Sequence, residues 1–318
     1  MNDLSEKELN QLLEYATESL YILKDEYSEG EIQVTKEEVL FLLNRFPEHL
    51  SKLEDLLLGF LLNDDFEDAK FYLQKALLLQ STNPVFLLYQ ALAYFITGEY
   101  QTAYKTAREI DFFTLVSRKE KNDVIIAFIP DEDFPIDFSS IIDFNSLKHN
   151  PDLRLVVQKI CTNIQLYSFV SNYHRAIDCI FELFPLIDVP PELTCELGRA
   201  YLNTNQYEKA KNALRLAIRC HPKLSIAYDL LKYVHMRLKE YEEAIRIILK
   251  YIELEPTDHT SIVSLVVCLE ELNQTDEAVE ILMNVAEKCP HLVADCWRII
   301  PQMDKLIGIM QEKREAQS

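Results

Sequence analysis

The chain has 318 residues, of which 48% are hydrophobic and 26% are charged. This length exceeds one typical compact domain, so it indicates two domains or one elongated array, and the composition excludes a globally disordered chain. The formal charge of -20 repels phosphate backbones and anionic lipid headgroups, so we expect no nucleic-acid and no membrane partner. Only 5 glycines are present, which leaves little material for glycine-rich phosphate loops or tight hairpins.

Residues 1–49 are predicted to form an N-terminal helical cap. Capping-box patterns at Ser5–Glu8 and Thr35–Glu38 open two helices. The apolar stripe of the first helix must be buried, and we expect it to cover the first repeated unit; a separate partner-binding arm is the alternative. The stripe comprises Leu9, Leu12, Leu13, Ala16 and Leu20. The N-terminus lacks a basic region followed by an apolar core, and no apolar run approaches the ~20 residues of a membrane span, so we expect a cytoplasmic protein.

Residues 50–117 are predicted to hold two repeated units, at 50–83 and 84–117. Tyr100 follows Phe66 by the same number of residues as Ala103 follows Ala69. The shared period is about 34 residues, which is the sequence signature of stacked helical hairpins.

Residues 118–156 form an irregular acidic and aromatic insertion. Between Pro130 and Leu147 there are five acids and no base. On a free linker, the many aromatic and aliphatic side chains would be exposed and would promote aggregation. We therefore expect the insertion to fold back onto the helices. The alternative is that it occupies the binding groove as an internal mimic of a partner.

Residues 157–292 are predicted to hold four more units, at 157–190, 191–224, 225–258 and 259–292. Several columns share the same period, among them Pro222, Pro256, Pro290, Ala210, Ala244 and Ala278. The alanines lie near the start of each second helix and allow close helix approach, while the prolines end it. The turn between the two helices of the units falls at Asp64, Gly98, Ser171, Asn205, Lys239 and Asn273. Residues 293–318 continue as C-terminal capping helices, with an apolar face at Met303, Leu306, Ile307 and Met310.

The pattern Leu197-Gly198-x-x-Tyr201, then Tyr207-x-x-Ala210, then a terminal proline resembles the tetratricopeptide repeat (TPR) family. The resemblance implies an all-α, right-handed superhelical solenoid of stacked helical hairpins, with helical caps at both ends. It also implies a concave groove lined by the first helix of each unit. The implied groove residues are Gln165, Cys195, Arg199, Asn203, Ile226, Asp229, Tyr233, Arg237 and Val263. One departure is that the small residue Gly198 is replaced by Lys232 and Val266 in the next units.

No catalytic motif is present, so we expect no enzymatic activity, no cofactor and no metal. The sequence lacks a phosphate-binding loop, a G-x-S-x-G nucleophile elbow and an H-E-x-x-H zinc motif. Cys289, His291 and Cys296 are soft-metal ligand types without a paired C-x-x-C. The odd, unpaired set of seven cysteines indicates reduced core thiols. His235 replaces Tyr201 in its column and is predicted to be a packed core histidine.

The predicted function is a protein–protein interaction module that binds a peptide segment or helix of a partner in its concave groove. It would act as a cytosolic chaperone or adaptor, and its character is similar to that of acidic TPR-type secretion chaperones. A scaffold or regulator that assembles folded partners is the alternative. No three successive units supply the Lys and Asn set that co-chaperones use to hold acidic chaperone tails, so that clamp is excluded. Homo-oligomerisation stays open.

Overall fold

The structure is a computed structural model that describes residues 4–26, 34–117, 138–255, 260–288 and 307–312. All regular secondary structure in these ranges is helical, and no strand occurs in them. The prediction of an all-α fold is thereby confirmed.

The described residues divide into two compact units, one within 1–137 and 144–172 and the other within 138–143 and 173–318. The first unit contains α1 (Glu6–Glu26), α2 (Lys36–Asn44), α3 (Leu50–Leu62), α4 (Phe66–Leu79), α5 (Pro84–Ile96), α6 (Tyr100–Arg108) and α7 (Phe112–Ser117). It also contains a 3-10 turn at Ser146–His149 and the long helix α9 (Pro151–Phe169). The second contains α8 (Phe138–Ile141), α10 (Tyr173–Leu183), α11 (Pro191–Asn203), α12 (Tyr207–Cys220), α13 (Ser225–Arg237), α14 (Tyr241–Leu254), α15 (Thr260–Glu271) and α16 (Thr275–Lys288).

In the first unit, two helical hairpins pack side by side and a further helix lies against both. The hairpins are α3–α4 and α5–α6, and α4 contacts α5. Helix α1 contacts α3, α5 and α6, while α2 contacts α3 and α4. The capping box at Ser5–Glu8 is complete, with the Ser5 amide donating to Glu8 Oε2 over 2.7 Å and the Glu8 amide donating to Ser5 Oγ over 3.4 Å. At Thr35 the N-cap bond is present, since the Glu38 amide donates to Thr35 Oγ1 over 3.3 Å.

In the second unit, three hairpins stack in the order α11–α12, α13–α14 and α15–α16. Ala210, Ala244 and Ala278 are all completely buried, which confirms the prediction that they are tightly packed positions. The described C-terminal helical residues 307–312 contribute Met310 to the core shared by α14, α15 and α16. The other residues of the expected capping face, Met303 and Leu306, lie outside the described residues.

The turn of each hairpin has the same backbone conformation in both units. All six predicted turn residues adopt a left-handed φ, between 57° and 81°. In each turn the following amide donates to a carbonyl of the preceding helix, over 2.7 to 2.9 Å, for example Gln206 to Tyr201 and Glu240 to His235. This is the Schellman arrangement, which satisfies carbonyls that the helix end leaves open.

Of the predicted insertion the structure describes residues 138–156, and helix α9 already begins within it at Pro151. Phe138 and Ile142 are buried, so this piece folds back onto the protein, and α8 groups with the second unit. Residues 118–137 lie outside the described residues, and the hypothesis that the insertion mimics a partner stays a prediction.

Candidate functional site

The candidate binding face is formed by α11 and α13, the first helices of two successive hairpins. On α13, Tyr233 is 43% exposed, Ile226 is similarly accessible, and Arg237 is exposed at the end of the helix. These three residues share one side of α13, whereas Ala227, Leu231 and Val234 are buried. The face therefore presents an aromatic ring, an aliphatic side chain and a guanidinium to solvent.

A fully buried lysine lies directly beneath this face. Lys232 Nζ is 2.6 Å from Asp229 Oδ1 and donates to Ser261 Oγ of α15 over 2.7 Å. The same ammonium lies 4.9 Å from the ring centroids of both Tyr233 and Tyr251. A cation over an aromatic face is attracted by the ring quadrupole. Lys232 therefore joins α13, α14 and α15 and restrains the two groove residues Asp229 and Tyr233.

On α11, the guanidinium of Arg199 is committed to its own helix. Arg199 Nε lies 3.1 Å from Oε2 of Glu196, whose side chain is almost completely buried. Asn203, at the exposed end of α11, donates from its amide nitrogen to the Arg199 carbonyl over 3.0 Å. Arg199 pairs with Glu196 and Asp229 pairs with Lys232, so the described residues show no ion pair between Arg199 and Asp229.

Two predicted groove residues are packing residues instead. Cys195 is 3% exposed and Val263 is 8% exposed, so neither presents its side chain to a ligand. Burial raises the pKa of the Cys195 thiol to about 12, which keeps it protonated and unreactive. Both side chains are small and apolar, and they pack in the interior of the second unit instead of facing solvent.

Cys161, Cys179 and Cys268 resemble Cys195, being buried, with thiol pKa values that burial raises to between about 11 and about 12. These four thiols are reduced core residues, as predicted, whereas Cys220 is exposed. Cys289, Cys296 and His291 lie outside the described residues.

His235 is a buried core histidine, as its column predicts. Its Nδ1 lies 2.6 Å from Glu240 Oε2, and Glu240 also accepts from Lys211 Nζ over 3.0 Å. Burial lowers the pKa of His235, and the bond to Glu240 opposes that shift only in part. The hydrogen bond from Lys211 is the main cause of the lowered pKa of Glu240. This network links α12, α13 and the start of α14, so it is structural.

A model of the tetratricopeptide repeat family matches residues 192–222 and 227–258. The chain carries tetratricopeptide repeats. The matched segments are the α11–α12 and α13–α14 hairpins that build the candidate face. No curated protein matches the chain significantly.

Several solved structures are similar to part of this chain. A crystal structure of MamA is 24% identical, covers 45% of this chain and 82% of its own, and superposes with a TM-score of 0.40. YrrB, described as a TPR protein with an unusual peptide-binding site, is 13% identical and covers 69% of this chain and 92% of its own, with a TM-score of 0.39.

The tetratricopeptide repeat register distributes the predicted groove residues over both units. Gln165 lies on α9 in the first unit, whereas the other eight lie on α11, α13 and α15 in the second. Of those eight, the accessible set is Arg199, Asn203, Ile226, Asp229, Tyr233 and Arg237, with Arg199 and Asp229 only partly exposed.

The second unit also contains a cleft of about 1120 Å³ that sequence reasoning did not predict. Its walls include the apolar side chains of Phe184, Leu216 and Ile218, and Arg215 and Arg219 also line it. None of the nine predicted groove residues lines this cleft. The cleft is lined by residues of the first helix α11 and of the second helix α12.

Lys232 and Glu196 are the residues of the candidate face that sequence reasoning missed. The signal for Lys232 was present, because a lysine stands in a column where the preceding tetratricopeptide repeat has Gly198. No sequence pattern marks Glu196 as part of the face.

In the part of the chain that the structure describes, no group of three or more His, Cys, Asp or Glu side chains could hold a metal ion. No helix among the described residues is long and apolar enough to cross a bilayer.

Proposed function

We propose that the face of α11 and α13 around Tyr233 binds a peptide segment or helix of a partner protein. The tetratricopeptide repeats make the chain a protein-interaction module. The observation that carries this site is the exposed Tyr233 ring held over the buried ammonium of Lys232. Tyrosine loses few rotamers on binding, and a ring that is already restrained loses fewer still.

The chemistry of the face favours a particular ligand. Arg237 is exposed and forms no ion pair among the described residues, whereas Arg199 is paired with Glu196. On a chain of net charge -20, an exposed guanidinium beside an aromatic ring is suited to a carboxylate or a row of backbone carbonyls. Ile226 adds an accessible aliphatic surface. The expected ligand is therefore a segment with one apolar anchor next to an acidic side chain.

The decisive experiment first captures partners from native cytosol by pull-down with mass spectrometry. The captured partner is then titrated against the wild type and against Tyr233→Ala/Arg237→Ala. Both side chains are exposed, so the double variant should keep its helical content and melting temperature. Partner affinity should fall at least tenfold, about 1.4 kcal/mol.

A matched control is Arg246→Ala/Leu249→Ala, which removes an exposed arginine and an exposed leucine from the second helix α14. This variant should bind like the wild type. If it weakens binding as much as the groove variant does, the partner uses the second-helix surface and the proposed site is wrong. Unfolding of the groove variant would place Tyr233 in the core and would equally remove the proposal.

We propose a cytoplasmic chaperone or adaptor role for this interaction rather than a catalytic one. A chaperone would keep an aggregation-prone client soluble in proportion to its own concentration, and the groove variant would lose that effect. A scaffold would instead capture partners that are already folded and would leave client aggregation unchanged. Light scattering of an aggregating client, with and without the protein, separates the two.

A further inference from the structure

The first unit has a surface that corresponds to the candidate face, and it is closed. Leu58 of α3 and Leu92 of α5 occupy the ninth position of their repeat units, as Arg199 and Tyr233 do in theirs. Leu58 is 3% exposed and Leu92 is fully buried, whereas Tyr233 is 43% exposed. Something therefore covers the first helices of this unit.

Helix α1 supplies that cover. It contacts both α3 and α5, the two first helices, and also α6. Its buried side chains recur at i, i+4, i+7 and i+11, namely Leu9, Leu13, Ala16 and Leu20. This is the single apolar stripe of an amphipathic helix laid into a groove. Its outward residues Glu14 and Glu18 are exposed.

Among the described residues, side-chain hydrogen bonds and an ion pair hold α1 along its edges. Gln11 Nε2 donates to the Phe169 carbonyl over 3.3 Å, and the Tyr104 hydroxyl donates to Asn10 Oδ1 over 2.8 Å. Lys24 pairs with Asp64 in the exposed turn after α3. Each contact is made by a side chain that any amphipathic helix could carry, and no buried ion pair of α1 is present among the described residues. Recognition of α1 therefore rests mainly on the spacing of its apolar stripe.

We propose that the surface of α3 and α5 beneath α1 is a second helix-binding groove, which an amphipathic helix of a partner protein occupies in exchange for α1. The partner helix carries large aliphatic residues with the spacing of Leu9, Leu13 and Leu20 and an acidic outer face. Helix α1 thus acts as an internal ligand that keeps this groove closed until a competing helix arrives. The site is separate from the Tyr233 face and does not depend on it.

The test uses the full-length chain and a fluorescent peptide of residues 4–26 as the probe, followed by fluorescence anisotropy. A tethered helix competes at an effective concentration of roughly millimolar, so the wild type should bind the peptide only weakly. Leu9→Ala/Leu13→Ala weakens the internal helix but leaves the groove unchanged. Because a larger open fraction raises the apparent affinity, this variant should bind the peptide at least about tenfold more tightly.

Two controls define the result. Glu18→Ala changes only the outer face of α1 and should bind the peptide like the wild type. A peptide in which the apolar stripe residues are replaced by polar residues should bind neither the wild type nor the variants. If the loosened variant fails to capture the intact peptide, or if it loses more helical signal than α1 alone can account for, α1 is an integral part of the fold and the proposal is wrong. The proposal is also wrong if light scattering shows a dimer in which two copies exchange α1 while neither copy binds the peptide.

Hydrogen exchange on the unmodified chain provides a check that needs no variant. An exchangeable helix opens without its groove, so the α1 amides should exchange at least about tenfold faster than those of α5. Equal rates for the two helices would mean that α1 opens only when the whole unit opens. That outcome would refute the exchange of α1 for a partner helix.

Discussion

Removal of Asp229 and removal of Lys232 should change the free energy of unfolding by very different amounts, although the two residues form one ion pair. Lys232 Nζ is fully buried, and after Asp229→Ala its partners among the described residues would be the Ser261 hydroxyl and two aromatic faces. The Asp229 side chain is 30% exposed, so after Lys232→Met its carboxylate can regain water. A buried charge without its partner is far more costly than a partly hydrated one.

The magnitudes follow from that asymmetry. Removing one partner of a buried pair costs about 3 to 5 kcal/mol, and the partial exposure of Asp229 places Asp229→Ala at about 3 kcal/mol. Lys232→Met removes the buried charge itself, and its main loss is the donor to the buried Ser261 hydroxyl, which we expect to cost about 1 to 2 kcal/mol. The double variant should be no less stable than Lys232→Met alone, because the methionine removes the charge that Asp229 neutralises.

The assay is urea denaturation followed by circular dichroism at 25 °C for the wild type, both single variants and the double variant. The double-mutant cycle should give a coupling energy of about 3 kcal/mol, because the cost of Asp229→Ala disappears once Lys232 is methionine. The reasoning would be refuted if Lys232→Met were more destabilising than Asp229→Ala, or if the two changes were simply additive. A confirmed result would also mean that loss of binding in an Asp229 variant reports on folding as well as on the groove.

Three further changes test the backbone, the helix packing and the pH response. Lys239→Gly should raise the free energy of unfolding by about 1 kcal/mol, because Lys239 has a φ of 57° and glycine adopts this conformation without the Cβ penalty. In thermal unfolding, Lys239→Ala should give no such gain. Gly198→Ala should lower the free energy of unfolding by about 1 to 3 kcal/mol, since the added Cβ would lie 2.5 Å from Leu214 Cγ. An unchanged midpoint of urea denaturation would contradict this close approach. Because burial lowers the pKa of His235, the unfolded chain binds more protons below the ordinary histidine pKa of about 6.5, so stability should fall as pH drops from 7 to 5. His235→Phe should flatten that slope, whereas an identical slope would show that His235 does not contribute.

Much of the local structure could be predicted because it depends on residue types at fixed spacing. The period of the repeat locates the hairpin turns from Asp64 to Asn273, since a Schellman turn needs a left-handed residue at one place in each unit. The alanine column predicts the closest helix crossings, because only a small side chain fits there. Accessibility could not be predicted in the same way: Cys195 and Val263 share the register of Asp229 and yet are buried.

The sequence by itself determined the helical class, the repeat length, the turns and the capping boxes, since each of these follows from interactions within a single repeat unit or a single helix end. Only the tertiary structure decided which copies of the repeated surface are open. Leu92 and Tyr233 occupy equivalent positions, but residues near the start of the chain cover the first while the second stays exposed. The tertiary structure also assigned Lys232 its role, because a lysine in a small-residue column becomes stable only when Asp229, Ser261 and two tyrosine rings from three helices meet around its ammonium. Such a convergence depends on how helices pack, and no spacing within one helix encodes it.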